Sequence, residues 1–323
     1  MTSILNDKRI ILGVSGGIAA YKALDIARGL TGEGARVDVV MTAAAREFVT
    51  PLRFQALTHR PVHGDVFEPW TAVEQGHVSL AREADALVVA PATADVIAKL
   101  ALGLADDMLT VTALACTAPL IIAPAMEQAM FLHAATQQNL RVLVERGARI
   151  VGPEHGPLAS GAVGQGRLVS PRRLVAAVRA ALGADGPLAG KHAVVSAGPT
   201  REPVDPIRFL SNRSSGKMGF ALAEALIEAG AKATLVTGPT WVEPPAEAEV
   251  IAVETAAQMA AAVSHAADRA DILIMAAAVA DYRPAEVAQQ KIKKTEGDLV
   301  IRLTRTTDII ASINRPGLIK VGF

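Results

Sequence analysis

At 323 residues, with 51% hydrophobic but only 3% aromatic content, the chain can bury two cores of ordinary size built from Ala, Val, Leu and Ile, as in helices packed on parallel sheets. Lys plus Arg and Asp plus Glu balance at 32 each, so no global charge calls for nucleic acid or a membrane surface, and binding falls to local sites. The single cysteine, Cys116, excludes a disulfide or zinc framework and reads as a small core residue; the opening MTSILNDKR lacks the basic start and apolar stretch of an export signal, which points to the cytoplasm.

Lys8 to Leu30 reads as strand, phosphate turn and helix. Arg9 to Val14 carries no charge after its first residue, as a strand covered on both faces should. Ser15, Gly16 and Gly17 let backbone approach a ligand, and the helix behind them offers unpaired N–H groups to an anion. The spacing is not G-x-G-x-x-G, so a plain tight turn stands level with a phosphate site. Arg36 to Met41, Leu87 to Ala90 and Leu120 to Ala123 are further strands separated by helical stretches, which implies a parallel, doubly wound sheet. The uncharged run Met108 to Met126 approaches the length of a bilayer span, but Pro119 and Pro124 break it, and a helix followed by a buried strand explains it better.

Pro124 to Arg146 carries one long helical pattern, and Arg149 to Val151 returns to the sheet. Gly152 to Gly166 holds five glycines and two prolines, too many for a packed element and suited to a mobile flap. Ser170 and Pro171 open a helix to Leu182, and Gly183 to Gly190 is the natural linker. The theme then returns: His192 to Thr200 is strand and turn, Ser215 to Gly230 a helix, Ala233 to Val236 a strand. Thr255 and Gln258 form a capping box for a helix to about Ala267. Asp271 to Ala276, Leu299 to Leu303 and Lys320 to Gly322 read as later strands, the last with nothing to cover it. The fold class is α/β, two Rossmann-like doubly wound domains in series.

Six stretches in order, SGGIAAYK at Ser15, APATAD at Ala90, PAMEQAM at Pro124, AGPTREPVDPIRFLSNRSSGKMG at Ala197, AAAVADYRP at Ala276 and KIKK at Lys291, resemble the bifunctional phosphopantothenoylcysteine decarboxylase and phosphopantothenate–cysteine ligase family of coenzyme A biosynthesis. The resemblance implies a flavodoxin-like, FMN-binding decarboxylase domain at 1–184. It implies a CTP-binding ligase domain at 190–323, incomplete at its C-terminus. Ser15, Gly16, Gly17 and Ile18 would hold the FMN phosphate with Thr42 beside them, and Thr93 and Ala94 would approach the flavin. For each threonine an ordinary helix cap is the competing reading. His77 matches the family's catalytic histidine, although a lone loop histidine is usually a solvated surface residue.

Two positions depart from the family pattern. Glu127 stands where the family has an Asn touching the substrate carboxylate, and Ser160 where its flap carries a proton-donating Cys. A glutamate facing a carboxylate is repelled unless it protonates, and a serine hydroxyl is far less acidic than a thiol of pKa about 8.5. Oxidative decarboxylation, and an FMN-bearing oligomerisation scaffold without turnover, therefore stay open beside the redox-neutral reaction. In the ligase, Ser214, Ser215 and Gly216 would cradle triphosphate, Asn212 would stabilise the acyl-cytidylate with Arg208 beside it, and Lys291 would neutralise phosphate charge. On composition alone KIKK is a solvated turn. Ala277 and Asp281 match nucleotide contacts, and Asp308, Ile309, Ile310 and Phe323 match contacts near the base. The resemblance further implies Mg2+ with CTP, small-molecule substrates only, and trimer-based homo-oligomers.

Overall fold

Apolar runs become parallel strands wherever a helix follows to cover them. The computed structural model describes residues 3–67, 76–294 and 296–323. Its internal contacts divide into two units, Met1–Leu182 and Gly183–Phe323.

The first unit comprises β1 (Arg9–Val14), a 3-10 turn (Ile18–Lys22), α1 (Ala23–Gly32), β2 (Arg36–Met41), α2 (Ala43–Arg46), α3 (Pro51–Thr58), β3 (Val62–His63), α4 (Gly76–Glu83), β4 (Ala86–Ala92), α5 (Ala94–Leu102), α6 (Met108–Ala115), β5 (Leu120–Pro124), α7 (Gln128–Leu132), α8 (Ala134–Glu145), β6 (Arg149–Ile150), β7 (Glu154–Pro157), β8 (Val163–Arg167) and α9 (Pro171–Leu182). Its main sheet is parallel in the order β3-β2-β1-β4-β5-β6, which reverses between β1 and β4 and opens a crevice at their carboxyl ends. Side chains alternate across it. Ile10, Leu12 and Val14 join the core with Ile26 of α1 and Leu174 of α9, whereas Ile11 joins Ile97 and Leu109 on the other face. A Cβ at Gly13 would lie 2.3 Å from Leu109 Cδ1, so any side chain there would displace Leu109 within the core.

The second unit follows the same plan with β9 (His192–Ala197), β10 (Arg201–Pro203), β11 (Phe209–Ser211), α10 (Lys217–Glu228), β12 (Lys232–Thr237), β13 (Glu249–Ala252), α11 (Ala256–Ala267), β14 (Ile272–Met275), β15 (Tyr282–Pro284), β16 (Leu303–Arg305), α12 (Ile309–Ser312) and β17 (Ile319–Gly322). The parallel sheet runs β13-β12-β9-β14-β17. At the foot of each sheet the same latch recurs. Asp85 accepts from Lys8 Nζ at 2.9 Å and the Arg9 N–H at 2.8 Å; Asp271 accepts from Lys191 Nζ at 3.1 Å and the His192 N–H at 2.9 Å. Burial opposes ionisation of Asp85, but the Arg9 N–H and Lys8 outweigh it and hold the carboxyl below its ordinary range. The His192 N–H and Lys191 do the same for Asp271.

Several expectations are corrected. The pattern over Pro124–Arg146 is two helices, because His133 turns extended (φ −60°, ψ 135°) and its Nδ1 accepts the Ala135 N–H to start α8 afresh. The glycine-rich stretch is an antiparallel hairpin, β7–β8, whose glycines permit close packing. The strand expected at Leu299–Leu303 is β16 at Leu303–Arg305, paired antiparallel with β15; the L-T-R alternation suits this solvated ribbon rather than a sheet covered on both faces. The 183–190 stretch, expected as the linker, begins where the two units divide and is seated on the end of α10: a Cβ on Gly183 would lie 2.1 Å from Glu228 O, and the Leu188 N–H donates to Ala229 O at 2.8 Å. Cys116, expected in the core, is half-buried at the end of α6. Both capping predictions are observed, Ser170 Oγ accepting the Arg173 N–H and Thr255 reciprocating with Gln258.

Candidate functional sites

Ser15 ends β1 fully buried; its hydroxyl donates to Pro91 O at 2.7 Å and accepts the Thr93 N–H at 3.0 Å. The side chain therefore fastens β1 to the β4–α5 turn, and an anion at this turn meets backbone first. The Gly16 and Gly17 N–H groups find no acceptor among the described residues. Gly16 is fixed by space, since a Cβ there would lie 2.4 Å from Ala44 Cβ, and Ile18 projects into solvent at the start of the 3-10 turn. Thr42 accepts the Ala45 N–H at 3.2 Å, and Thr93, just before Ala94, accepts the Val96 N–H at 3.4 Å, so both cap helices. A cap uses an oxygen lone pair and leaves the hydroxyl proton to donate, so capping and ligand binding coexist at one threonine. Two open backbone donors and two hydroxyl protons at the reversal between β1 and β4 fit the phosphate and ring oxygens of a flavin nucleotide.

Further along the same edge, Glu127 precedes α7 without capping it. Its Oε2 instead accepts from Ser160 Oγ at 2.8 Å. The two residues that depart from the family pattern thus touch each other. The hairpin is held there by backbone as well: the Met126 N–H donates to Gly166 O at 3.0 Å and the Gln165 N–H to Gln128 Oε1 at 2.8 Å. Gly164 and Gly166 allow this approach, because a Cβ on them would lie 1.9 Å from Gln128 Oε1 and 2.1 Å from Met126 O. His77, half-buried, is the second residue of α4, and no hydrogen bond to it occurs among the described residues.

In the second unit the carboxyl ends of β9, β12 and β14 meet around glycines. A Cβ on Gly238 would lie 1.7 Å from Pro199 O, and one on Gly219 2.6 Å from Ala197 Cβ. Gly216, in the left-handed region at φ +77°, starts α10 and donates its N–H to Ser214 Oγ at 3.4 Å; Ser215 is exposed. Ser196 Oγ accepts the Ala276 and Ala277 N–H groups, and Asn212 Nδ2 donates to Ala278 O at 3.1 Å, which ties the 276–281 loop to β9 and to the residue after β11. That loop borders a cleft of about 560 Å3 lined by Asp281, Arg305, Asp308, Ile309 and Ile310, and Phe323 donates its N–H to the cleft residue Met275. Lys291 is exposed and free of partners among the described residues.

Arg208, expected as a substrate ligand beside Asn212, is exposed but also engaged within the protein. Its Nε and Nη2 donate to Asp205 Oδ2 at 2.9 and 2.5 Å, and Nη2 also reaches Ile292 O at 2.9 Å. Sequence reading missed Asp205, although Asp-Pro followed by Arg three residues after the Asp is a readable turn signal. Among the described residues no cluster of three or more His, Cys, Asp or Glu could hold a metal ion, and no helix is long and apolar enough to cross a membrane.

Two doubly wound units, one with an anion-ready reversal and one with a cleft beside the 276–281 loop, define a two-domain nucleotide-binding α/β protein. Residues 2–183 match the flavoprotein family, and residues 188–323 match the DNA/pantothenate metabolism flavoprotein C-terminal domain. The chain is 47% identical over 326 residues to the coenzyme A biosynthesis bifunctional protein CoaBC of Vibrio vulnificus (strain YJ016), covering 99% of this chain and 80% of that protein. The Bacillus subtilis (strain 168) protein of the same name is 46% identical over 325 residues, with the same coverage. A solved PPC decarboxylase mutant complexed with pantothenoylaminoethenethiol is 32% identical, with a TM-score of 0.49 over 54% of this chain and 97% of its own. The chain belongs to this bifunctional coenzyme A biosynthesis family, whose members join a phosphopantothenoylcysteine decarboxylase to a phosphopantothenate–cysteine ligase.

Proposed function

We propose that the first unit binds FMN and decarboxylates 4'-phosphopantothenoylcysteine, and that the second uses CTP and Mg2+ to join 4'-phosphopantothenate to cysteine. The observation that carries the ligase assignment is the cleft bordered together by Asp281, Asp308, Ile309 and Ile310, with Asn212 tied to the loop beside it. There the substrate carboxylate attacks the α-phosphorus of CTP and pyrophosphate leaves; the cysteine amine then attacks the acyl carbon and CMP leaves. Bringing a carboxylate to a triphosphate is electrostatically costly, and the Gly216 turn, the first N–H groups of α10 and Lys291 offset that cost. Mg2+ arriving with CTP would neutralise part of the triphosphate charge.

In the first unit, Gly16, Gly17, Thr42 and Thr93 would hold FMN. When bound, FMN supplies the two-electron oxidation that gives decarboxylation an electron sink. His77 is the acid–base group. Glu127 faces the departing carboxylate, and Ser160 stands where the last proton arrives. We place the enzyme in the cytoplasm as trimer-based oligomers.

Two assays test this reading. Purified protein should show a flavin absorption band that denaturation releases as FMN, and pyrophosphate release from CTP should require 4'-phosphopantothenate. Colourless protein that does not take up FMN sinks the first half, and pyrophosphate release independent of the acid sinks the second. The Ser160–Glu127 hydrogen bond favours one further reading, oxidative decarboxylation, since a hydroxyl committed to a carboxylate is a poor final proton donor. A product two mass units lighter than 4'-phosphopantetheine identifies it.

A further inference from the structure

Asp205 has a fully buried carboxylate surrounded by N–H donors. Oδ1 accepts the Ile207 and Arg208 N–H groups at 2.9 and 2.8 Å. Oδ2 accepts Arg208 Nε and Nη2 and, from far along the chain, the Ile292 N–H at 3.1 Å. Arg208 Nη2 returns to Ile292 O, so one ion pair captures both backbone polar groups of Ile292. Val204 O also accepts the Ala288 N–H at 3.1 Å, so the approach of this segment is fastened as well. The residue before Ile292 is Lys291, whose side chain is exposed and unpartnered among the described residues.

We propose that Asp205, acting with Arg208, is a positioning residue for Lys291: it anchors the backbone at Ile292 so that the neighbouring ammonium is delivered to the triphosphate at the moment of pyrophosphate release. This rests on the ligase reading above. The clamp fixes the root of the side chain and leaves its charged end free, as a group that must meet a ligand requires. A carboxylate is specifically needed. Donors point at both oxygens, so an amide at this position turns its NH2 toward N–H groups whichever way it is flipped. Without the clamp, the nearest hydrogen bond to Lys291 among the described residues is that of the Ala288 N–H to Val204 O, three residues upstream, and a catalytic charge displaced by about 1 Å loses much of its effect.

The test is a double-mutant cycle in the full chain, read by pyrophosphate release and by hydrogen exchange at the Ile292 amide. Asp205→Asn should slow release by roughly tenfold or more at saturating CTP with little change in the KM for CTP, and should speed Ile292 exchange. In a Lys291→Gln background the same substitution should cost less than about twofold, because the group it positions is gone. Asp205→Glu, which restores a carboxylate, should recover part of the rate. Equal losses in both backgrounds, or a loss confined to melting temperature, overturn the proposal. If the parent chain releases no pyrophosphate the ligase reading itself fails and the proposal with it, while protection of Ile292 still reports whether the clamp exists.

Discussion

The contact between Glu127 and Ser160 makes a quantitative prediction about the decarboxylase site. Glu127→Asn removes the charge that would face a substrate carboxylate, and Ser160→Cys supplies an acid in place of a hydroxyl. A hydrogen bond to a charged group contributes about 1.5–3 kcal/mol when buried. Ser160 is exposed and Glu127 only half-buried, so we take about 1 kcal/mol, roughly a fivefold change in how often the hairpin lifts away. The other ties at Met126 and Gln128 keep the hairpin in place. A thiol of pKa about 8.5 is almost entirely protonated at neutral pH and can donate, but a carboxylate beside it weakens that acidity. Ser160→Cys alone should therefore gain little. The double variant should raise the yield of 4'-phosphopantetheine by more than the product of the two single gains. Single turnovers of FMN-loaded protein with phosphopantothenoylcysteine, products resolved by mass, measure all four corners of the cycle. Gains that simply multiply would refute the coupling, and equal yields from parent and double variant would show that the site works by other means.

Gly166→Ala should free the hairpin, because its Cβ would strike Met126 O, whereas Gly161→Ala at φ +86° meets open space and costs only about 1 kcal/mol of backbone strain; exchange rates over 154–167 separate the two. Thr42→Val and Thr93→Val should each weaken FMN binding roughly fivefold and lower stability by about 1 kcal/mol, with Ser restoring both, as read by flavin fluorescence titration and melting. Asp271 is held below the ordinary carboxylate range by the His192 N–H and Lys191, so its contribution is fully present above the unfolded value of about 3.9 and fades as pH falls through the lower folded value. The stability gap between parent and Asp271→Asn should be constant near neutrality and close in acid; a gap that widens in acid would contradict the latch.

Strands and caps were legible because each depends on a few adjacent residues: Arg9–Val14, the Thr255–Gln258 box and the Ser170–Pro171 start need no knowledge of the rest of the chain. The cleft residues Asp281, Asp308, Ile309 and Ile310 came from motif order, and the fold brings them together. What escaped was contact across sequence. Nothing local in the glycine-rich stretch shows that Gly164 and Gly166 face Gln128 and Met126, so glycines needed for close packing read as flexibility. Arg208 read as a substrate ligand, and nothing local showed that it also pairs with Asp205 around Ile292, which lies 84 residues further on. His133 breaks a helix by its own backbone geometry, which a periodic apolar pattern conceals.

The two Asp latches also set a timetable for folding. Lys8–Asp85 and Lys191–Asp271 close loops whose backbone tie points are 76 and 79 residues apart. Closure entropy rises by only about 0.6 kcal/mol per doubling of length, so the two closures are entropically matched. Refolding from denaturant, with every residue present at once, should therefore close both halves on one timescale. Synthesis on the ribosome breaks that symmetry: Asp271 follows Asp85 by 186 residues, roughly ten to forty seconds at 5–20 residues per second. The flavoprotein half can be latched before the last strands of its neighbour exist. That order of emergence would limit exchange of partners between the matching segments, Lys8–Arg9 and Lys191–His192 with their aspartates.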